Sequence, residues 1–250
     1  MRAPKLLSLV VGITFAFPIH AGGAAAENSR EARGEARPGG EFGTVFGKVS
    51  LAGHSLKPKP LPVFKNRAFC GATVADETLL VGADGGLANA VVVFRSLQRA
   101  TPAQPGLLAL DNKKCAFTPH AQVGVVGSEL LLKNSDPILH TVHARMGNDT
   151  LFNVGLPTWR RVTKRLERAG VIRINCDVLH TWMSAVMVVT ESPFFALTNA
   201  VGDFELDNLP VGDYVMEVWH ERLGLRQQRF AVNASGIAHI QVIYNQEIQR

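Results

Sequence analysis

The chain has 250 residues, of which 46 % are hydrophobic, and a formal net charge of +5 at pH 7. Its basic residues are dispersed, apart from Arg160 with Arg161 and Lys164 with Arg165. Binding of nucleic acid would need a denser basic face with interleaved aromatic side chains. The composition therefore argues against nucleic acid as a partner, and the small basic cluster could steer an acidic protein.

Residues 1–26 have the layout of a secretory signal peptide. Arg2 and Lys5 precede an apolar run over residues 6–18, and small residues follow it. The run is too short to span a bilayer. We expect cleavage between Ala21 and Ala26, a mature chain without stable membrane insertion, and export to a bacterial periplasm.

Residues 27–42 are charged and contain Gly and Pro, which predicts a flexible linker. Beyond it, short apolar runs alternate with turn residues, and no segment has convincing helical periodicity. The predicted fold class is all-β, built from sandwiches. The predicted strands cover residues 44–51, 90–94, 122–126, 130–133, 170–176, 184–190, 214–218 and 228–232.

Three cysteines make an odd count for an exported protein. Cys70 and Cys115 could pair, since the periplasm favours disulfides, but the count alone does not say which two pair. A lone thiol in an oxidising compartment is a liability unless it is buried or bound to a metal. A ligand role for Cys176 is consistent with this count.

The segment from Cys176 to Met183 carries the chemistry. Cys176, His180 and Met183 lie on one short loop, and His140 lies upstream. A thiolate and two imidazoles with a weak thioether suit a mononuclear blue-copper electron-transfer site. Zinc is the alternative ion, but thioether is a poor zinc ligand. We therefore predict one copper ion, cycling between Cu(I) and Cu(II), held by these four residues.

The alternation of side chains along a strand supports this set. Ile172, Ile174 and Cys176 share one face, so the thiol points in the direction of the apolar core. The alternatives are an inert buried cysteine and a Met183 that only packs in the core. His143, three residues after His140, faces the other way in a continuing strand, and His120 is expected at the surface or in a loop.

Residues 106–192 resemble the plastocyanin-like cupredoxins. The resemblance rests on the F-x-P of residues 117–119, two strands, an Asn134-containing turn into His140, and the Cys176, His180 and Met183 loop. It implies a Greek-key sandwich and a hydrogen bond from the Thr141 backbone to the Cys176 sulfur. The C-x3-H-x2-M spacing is also that of the last part of a binuclear copper loop. The first cysteine of that loop would fall at position 172, which is Ile, so two bridging thiolates are impossible and a mononuclear site remains.

Residues 193–250 resemble a carboxypeptidase regulatory-like (transthyretin-like) β-sandwich. Its pattern T-x-x-x-G-x-F-x-L-x-x-L-P-x-G-x-Y is matched from Thr198 to Tyr214. Residues 43–105 form a further β region, whose segments 43–49 and 86–94 look like the opening strands of the same module. Two arrangements stay open: the copper domain is inserted into this module, or the two stand in tandem.

The predicted function is one-electron transfer by a periplasmic copper protein, with a redox partner protein whose identity the sequence does not give. The whole chain is similar to exported bacterial proteins described as methylamine-utilisation or plastocyanin-like. The alternatives are a copper storage or delivery module and a two-sandwich scaffold with a degenerate metal site. An enzyme is not expected, because Cys176 and His180 lack a third orienting group and an oxyanion site. The oligomeric state stays open.

Overall fold

The computed structural model describes residues 42–53, 58–234 and 236–245. The predicted signal peptide and the predicted linker up to residue 41 lie outside these residues, and Phe42 belongs to the first strand. The described residues form eighteen strands and one four-residue helix. This part of the chain contains no helix long and apolar enough to cross a membrane. The prediction of an all-β fold is confirmed.

The structure fixes the bounds of these elements. In order they are β1 (Phe42–Leu51), β2 (Leu61–Pro62), α1 (Arg67–Cys70), β3 (Thr73–Val74), β4 (Val91–Ser96), β5 (Leu107–Lys113), β6 (Ala116–Thr118), β7 (Ala121–Val125), β8 (Glu129–Asn134), β9 (His140–Met146), β10 (Asp149–Leu156), β11 (Arg161–Arg165), β12 (Gly170–Asn175), β13 (Ser184–Thr190), β14 (Phe195–Leu197), β15 (Asp203–Pro210), β16 (Gly212–His220), β17 (Gly224–Val232) and β18 (Ile237–Tyr244).

The first sandwich is built from β5 to β13. One sheet has the strand order β10-β9-β12-β13-β7 and the other β11-β8-β5-β6. Alternate residues of both sheets point inward, as the two-residue period of a strand requires. They share one buried core, whose members include Leu110, Leu130, Leu132, Val142, Ala144, Ile172, Ile174, Ala185, Met187 and Val189.

The second sandwich combines strands from both ends of the described chain. Its sheets have the orders β15-β1-β18 and β14-β4-β16-β17. They share a separate core that includes Val45, Val49, Val92, Phe94, Tyr214, Met216, Val218 and Val242. The strands of the first sandwich therefore lie in sequence between β4 and β14 of the second.

Two residues of the T-x-x-x-G…Y pattern have clear structural roles in the second sandwich. The Thr198 hydroxyl accepts a hydrogen bond from the Ala90 backbone N–H at 2.9 Å and donates to the Leu87 carbonyl at 2.7 Å. The Tyr214 hydroxyl donates to the Pro210 carbonyl at 2.8 Å. Because buried backbone groups must find partners, these side chains fix the approach of β14 to β4 and the turn before β16.

The two sandwiches meet through a small apolar cluster and a buried ion pair. Val91 and Val93 of β4 pack with Val188 of β13. Beside them, Nε2 of His120 contacts the carboxylate of Glu221, and both side chains are less than a tenth exposed. The expectation of a surface or loop position for His120 is therefore only half right: it lies in the β6–β7 loop, but it is buried against the other sandwich.

A short excursion between β1 and β4 lies on the first sandwich. It comprises β2, α1 and β3, and we call residues 61–74 the cap. Val63 is 2 % exposed and belongs to the core of the first sandwich. Cys70 of the cap forms a disulfide with Cys115, which leaves Cys176 as the free cysteine.

Candidate metal centre

His140, Cys176 and His180 converge at one end of the larger sheet of the first sandwich. His140 opens β9, Cys176 follows the last residue of β12, and His180 lies in the loop before β13. β9 and β12 are hydrogen-bonded neighbours. Ile172 and Ile174 are buried on the same face as Cys176, in keeping with the strand alternation. The topology thus brings together three side chains that the sequence separates by up to 40 positions.

Three donor atoms form a compact triangle. Sγ of Cys176 lies 3.9 Å from Nδ1 of His140 and 3.7 Å from Nδ1 of His180, and the two Nδ1 atoms are 3.1 Å apart. A point equidistant from three atoms so placed lies about 2.1 Å from each, within the range of about 2.0 to 2.3 Å that nitrogen and thiolate donors adopt on a zinc ion. Atoms so spaced could bind one metal ion together.

The outer nitrogens of the two imidazoles determine which tautomer each ring adopts. Nε2 of His140 lies 3.0 Å from a carboxylate oxygen of Asp136, and Nε2 of His180 lies 3.0 Å from Oδ1 of Asn66. A carboxylate and an amide oxygen only accept hydrogen bonds. Each Nε2 therefore carries the ring proton, and each Nδ1 presents a lone pair to the triangle.

The local environment keeps both rings neutral. Burial lowers the pKa of His140, although the hydrogen bond and charge of Asp136 act in the opposite direction. Burial, the neighbouring His140 and Lys65 lower the pKa of His180 to about 4. Near neutral pH two lone pairs thus face each other beside a sulfur atom. A bound cation would relieve this arrangement, so the residues fit a soft metal ion.

Thr141 supports the sulfur of Cys176. Its backbone N–H donates to Sγ at 3.4 Å, which confirms the hydrogen bond implied by the resemblance to cupredoxins. Its hydroxyl lies 3.7 Å from Sγ and accepts the backbone N–H of Asp177 at 2.7 Å. Donors aimed at a metal-bound sulfur orient it and tune its basicity.

Asp136 is a supporting residue that the sequence analysis did not identify. Its carboxylate accepts the backbone N–H groups of Lys114 at 2.6 Å and Cys115 at 2.8 Å, besides contacting His140. The Asn134 side chain accepts the backbone N–H of Asp136 at 3.0 Å. Asp136 is 2 % exposed, and its hydrogen bonds fix the plane of the His140 ring. Its position in the N-S-D-P turn, four residues before His140, is the signal that could have revealed it.

Met183 and Trp182 lie in the same core as Cys176. Met183 is 1 % exposed, and its backbone N–H donates to the His180 carbonyl at 2.9 Å, which closes the loop. The Trp182 ring centre lies 5.1 Å from that of His180, and its indole N–H donates to the Cys115 carbonyl at 3.0 Å. Trp182 therefore packs against one side of the His180 ring.

Other potential donors near the triangle are already engaged. His143 points away from it and bonds to Asp177 at 2.7 Å and to Thr150 at 2.9 Å. The sulfur of Cys115 lies within 4.8 Å of ligand atoms of Asp136 and His140. Because Cys115 is in the disulfide, it offers no thiolate to a metal.

Replacing Asp136 by Asn is expected to weaken both the fold and the metal site. The amide puts an NH2 group where donors now converge, so we expect the free energy of unfolding to fall by about 2 kcal/mol. We expect metal affinity to fall by about 10- to 100-fold, since the His140 ring loses its orienting partner. Chemical denaturation and competition with a chelator measure the two effects. Asp149→Asn, at an exposed ion pair with Arg168, is the matched control. An unchanged affinity in Asp136→Asn would contradict the role assigned to the carboxylate.

No protein-family model and no curated protein matches the chain. Solved structures similar to part of the chain include cupredoxins. A purple cupredoxin from Nitrosopumilus maritimus is 21 % identical, with a TM-score of 0.30, over 34 % of this chain and 99 % of that one. The P94F variant of amicyanin is 19 % identical, with a TM-score of 0.30, over 39 % of this chain and 97 % of that one. A copper-containing nitrite reductase from Thermus scotoductus is 17 % identical, with a TM-score of 0.32, over 40 % of this chain and 27 % of that one.

Proposed function

We propose that this protein is a periplasmic mononuclear copper protein that transfers single electrons. The observation that carries the proposal is the triangle of Cys176 Sγ and the two Nδ1 atoms of His140 and His180, with separations of 3.1 to 3.9 Å. Met183 is the proposed weak fourth ligand, since it is buried at the end of the same loop. Export rests on the signal-like residues 1–26.

The burial of the donors favours an electron carrier over an enzyme. His140, Cys176 and His180 are 0, 5 and 1 % exposed, so a substrate would have no direct approach to them. Copper supplies the exchange of one electron between its Cu(I) and Cu(II) states. The chain contributes a fixed donor triangle, two oriented imidazoles and a sulfur held by Thr141. Fixed ligands suit electron transfer because little has to move between the two states.

The proposed partner is another redox protein. It would dock over Leu139 and Leu179, which precede the two histidines and are 49 % and 67 % exposed. For the second sandwich we propose a carboxypeptidase regulatory-like module made of residues 193–250 together with β1 and β4, on the strength of the pattern from Thr198 to Tyr214.

Loading with copper tests the function. Mature protein with one equivalent of Cu(II) is expected to show an intense thiolate-to-copper absorption band and a corresponding EPR spectrum. Cys176→Ser and His140→Ala should each lose the band. His143→Ala is the matched control, because His143 lies on the same strand but faces away, and it should keep the band.

Voltammetry then separates the candidate functions. An electron carrier should cycle reversibly at a defined potential and pass electrons to an acceptor. A copper storage or delivery module would instead lose Cu(I) readily to a chelator and show no reversible couple. A colourless protein that binds no copper would contradict both copper functions. The two-sandwich scaffold would then be the remaining candidate function.

A further inference from the structure

Asn66 of the cap adopts a conformation that directs its side chain away from its own helix. It precedes α1 in the left-handed region, with φ of 56° and ψ of 31°, and its side chain does not cap that helix. Its backbone carbonyl accepts the N–H groups of Phe69 and Cys70, both at 2.9 Å. The side-chain oxygen of an asparagine before a helix usually accepts a hydrogen bond from an N–H group in the first turn of that helix. Here that oxygen is 3.0 Å from Nε2 of His180 instead.

Several contacts hold the cap in place on either side of Asn66. Val63 is buried in the core of the first sandwich, and its N–H donates to the Ala72 carbonyl at 3.0 Å, which closes the cap on itself. The Lys65 ammonium donates to the Val178 carbonyl at 3.1 Å, two residues before His180. Asn66 is therefore presented to the metal-site loop by a segment with contacts on both sides of it.

The disulfide links the two groups that orient the imidazoles. Cys70 lies four residues after Asn66 and is bonded to Cys115. The N–H of Cys115 donates to the carboxylate of Asp136, which contacts His140. The disulfide thus ties the segment that carries Asn66 to the turn whose backbone holds the carboxylate of Asp136.

We propose that Asn66 is the positioning residue of His180, and that the Cys70–Cys115 disulfide holds Asn66 in place. Asn66 keeps the ring proton on Nε2, so that Nδ1 is free for the metal, and it covers the outer edge of the ring. Together with Trp182 it covers His180, which is 1 % exposed although it lies on a loop. The positioning of the His180 ring by Asn66 does not require a bound metal ion. Only its expected effect on the affinity for copper rests on the proposed function.

Replacing Asn66 by Gly tests the proposal. Gly accepts a positive φ without strain, so the variant removes the side chain and leaves the backbone free to keep its shape. Asn208→Gly is the matched control, because Asn208 is exposed, has a φ of 58° and belongs to the second sandwich. Asn66→Asp retains an acceptor at the same place and should restore the wild-type behaviour.

The first readout is the Nε2–H signal of His180 in nitrogen-15 NMR spectra of the metal-free protein. Wild type, Asn208→Gly and Asn66→Asp are expected to show a proton protected from exchange with water. Asn66→Gly is expected to lose the signal through exchange, and Cys70→Ala/Cys115→Ala to show faster exchange than wild type. A signal as well protected in Asn66→Gly as in wild type would overturn the role of Asn66. Unchanged exchange in the double variant would overturn the role of the disulfide.

The second readout is the affinity for copper, measured by competition with a chelator. Asn66→Gly is expected to bind about 10- to 100-fold more weakly than wild type, as is typical when the partner of a ligand histidine is removed. An affinity equal to that of wild type would overturn the effect on the metal. A wild-type protein that binds no copper would end the proposed function, while the NMR result would still decide whether Asn66 positions His180.

Discussion

Removing the Cys70–Cys115 disulfide, by replacing both cysteines with Ala, is expected to lower the free energy of unfolding by about 4 kcal/mol. The bond joins residues 45 positions apart, and a cross-link of that length removes much of the freedom of the unfolded chain. Alanine is the better replacement because Cys115 is fully buried and a serine hydroxyl there would need a partner.

Denaturant titration of the double variant and of wild type measures this difference. The matched comparison is wild type reduced with a dithiol, which breaks the same bond without changing side-chain volume elsewhere. Both should unfold at lower denaturant concentration and to a similar extent. A loss below about 1 kcal/mol in both samples would mean that the cap adds little constraint to the unfolded chain.

Replacing His120 by Ala is expected to lower the free energy of unfolding by about 3 kcal/mol or more. The side chains of His120 and Glu221 are 5 % and 8 % exposed, so the variant leaves a carboxylate buried without its partner. His239→Ala, at an exposed histidine of the second sandwich, is the matched control and should change stability by less than about 0.5 kcal/mol. A loss as small as that of the control would contradict an energetic role for the pair.

The same pair predicts a dependence of stability on pH. Burial lowers the pKa of His120, but the hydrogen bond and charge of Glu221, helped by Glu77 and the Ser184 carbonyl, outweigh burial, and the pKa is raised. A raised pKa stabilises the folded state below the unfolded value of about 6.5, and this contribution is lost as pH rises through the folded pKa. His220 acts in the opposite direction, because burial and the charge of His120 lower its pKa to about 4.

Glu221→Gln isolates the contribution of the pair from that of His220. The difference in unfolding free energy between wild type and this variant is expected to be larger at about pH 6 than at about pH 9. Denaturant titrations of both proteins at the two pH values measure it. The same difference at both pH values would show that His120 carries no proton when folded.

Position in the sheet did not alone decide which strands were predictable from sequence, since the predicted strands 122–126 and 228–232 overlap the edge strands β7 and β17. The predicted strand 184–190 coincides with β13, which is almost entirely buried. β10 lies at the edge of its sheet and is mostly exposed or half-buried on both faces, so its sequence has no two-residue period to detect. β18 is a different case: Ile240, Val242 and Tyr244 alternate with exposed residues, so its sequence does have the two-residue period of a strand with one buried face.

The proximity of Cys176 and His180 was predictable from their four-residue spacing and from the strand alternation that turns the Cys176 side chain inward, and the place of His140 followed from the resemblance to cupredoxins. Asn66 was not, because it lies 114 residues from His180 in a segment without strand or helix periodicity. Only the disulfide and the burial of Val63 bring that segment to the site, and neither contact leaves a local pattern in the sequence. The assignment of the four ligands remains a prediction that copper loading has to test.

The pairing of β1 determines the order in which the two sandwiches can be completed. β1 is antiparallel to β15 and parallel to β18. The earliest strand of the described chain can therefore pair only with two of the latest strands. All strands of the first sandwich precede β14, and domains generally fold as units as the chain emerges from its N-terminus. Distant pairings form late because their loop-closure entropy must be overcome first. The loop that carries Cys176 and His180 can therefore fold while β1 is still unpaired, before the sandwich that flanks it in sequence has closed.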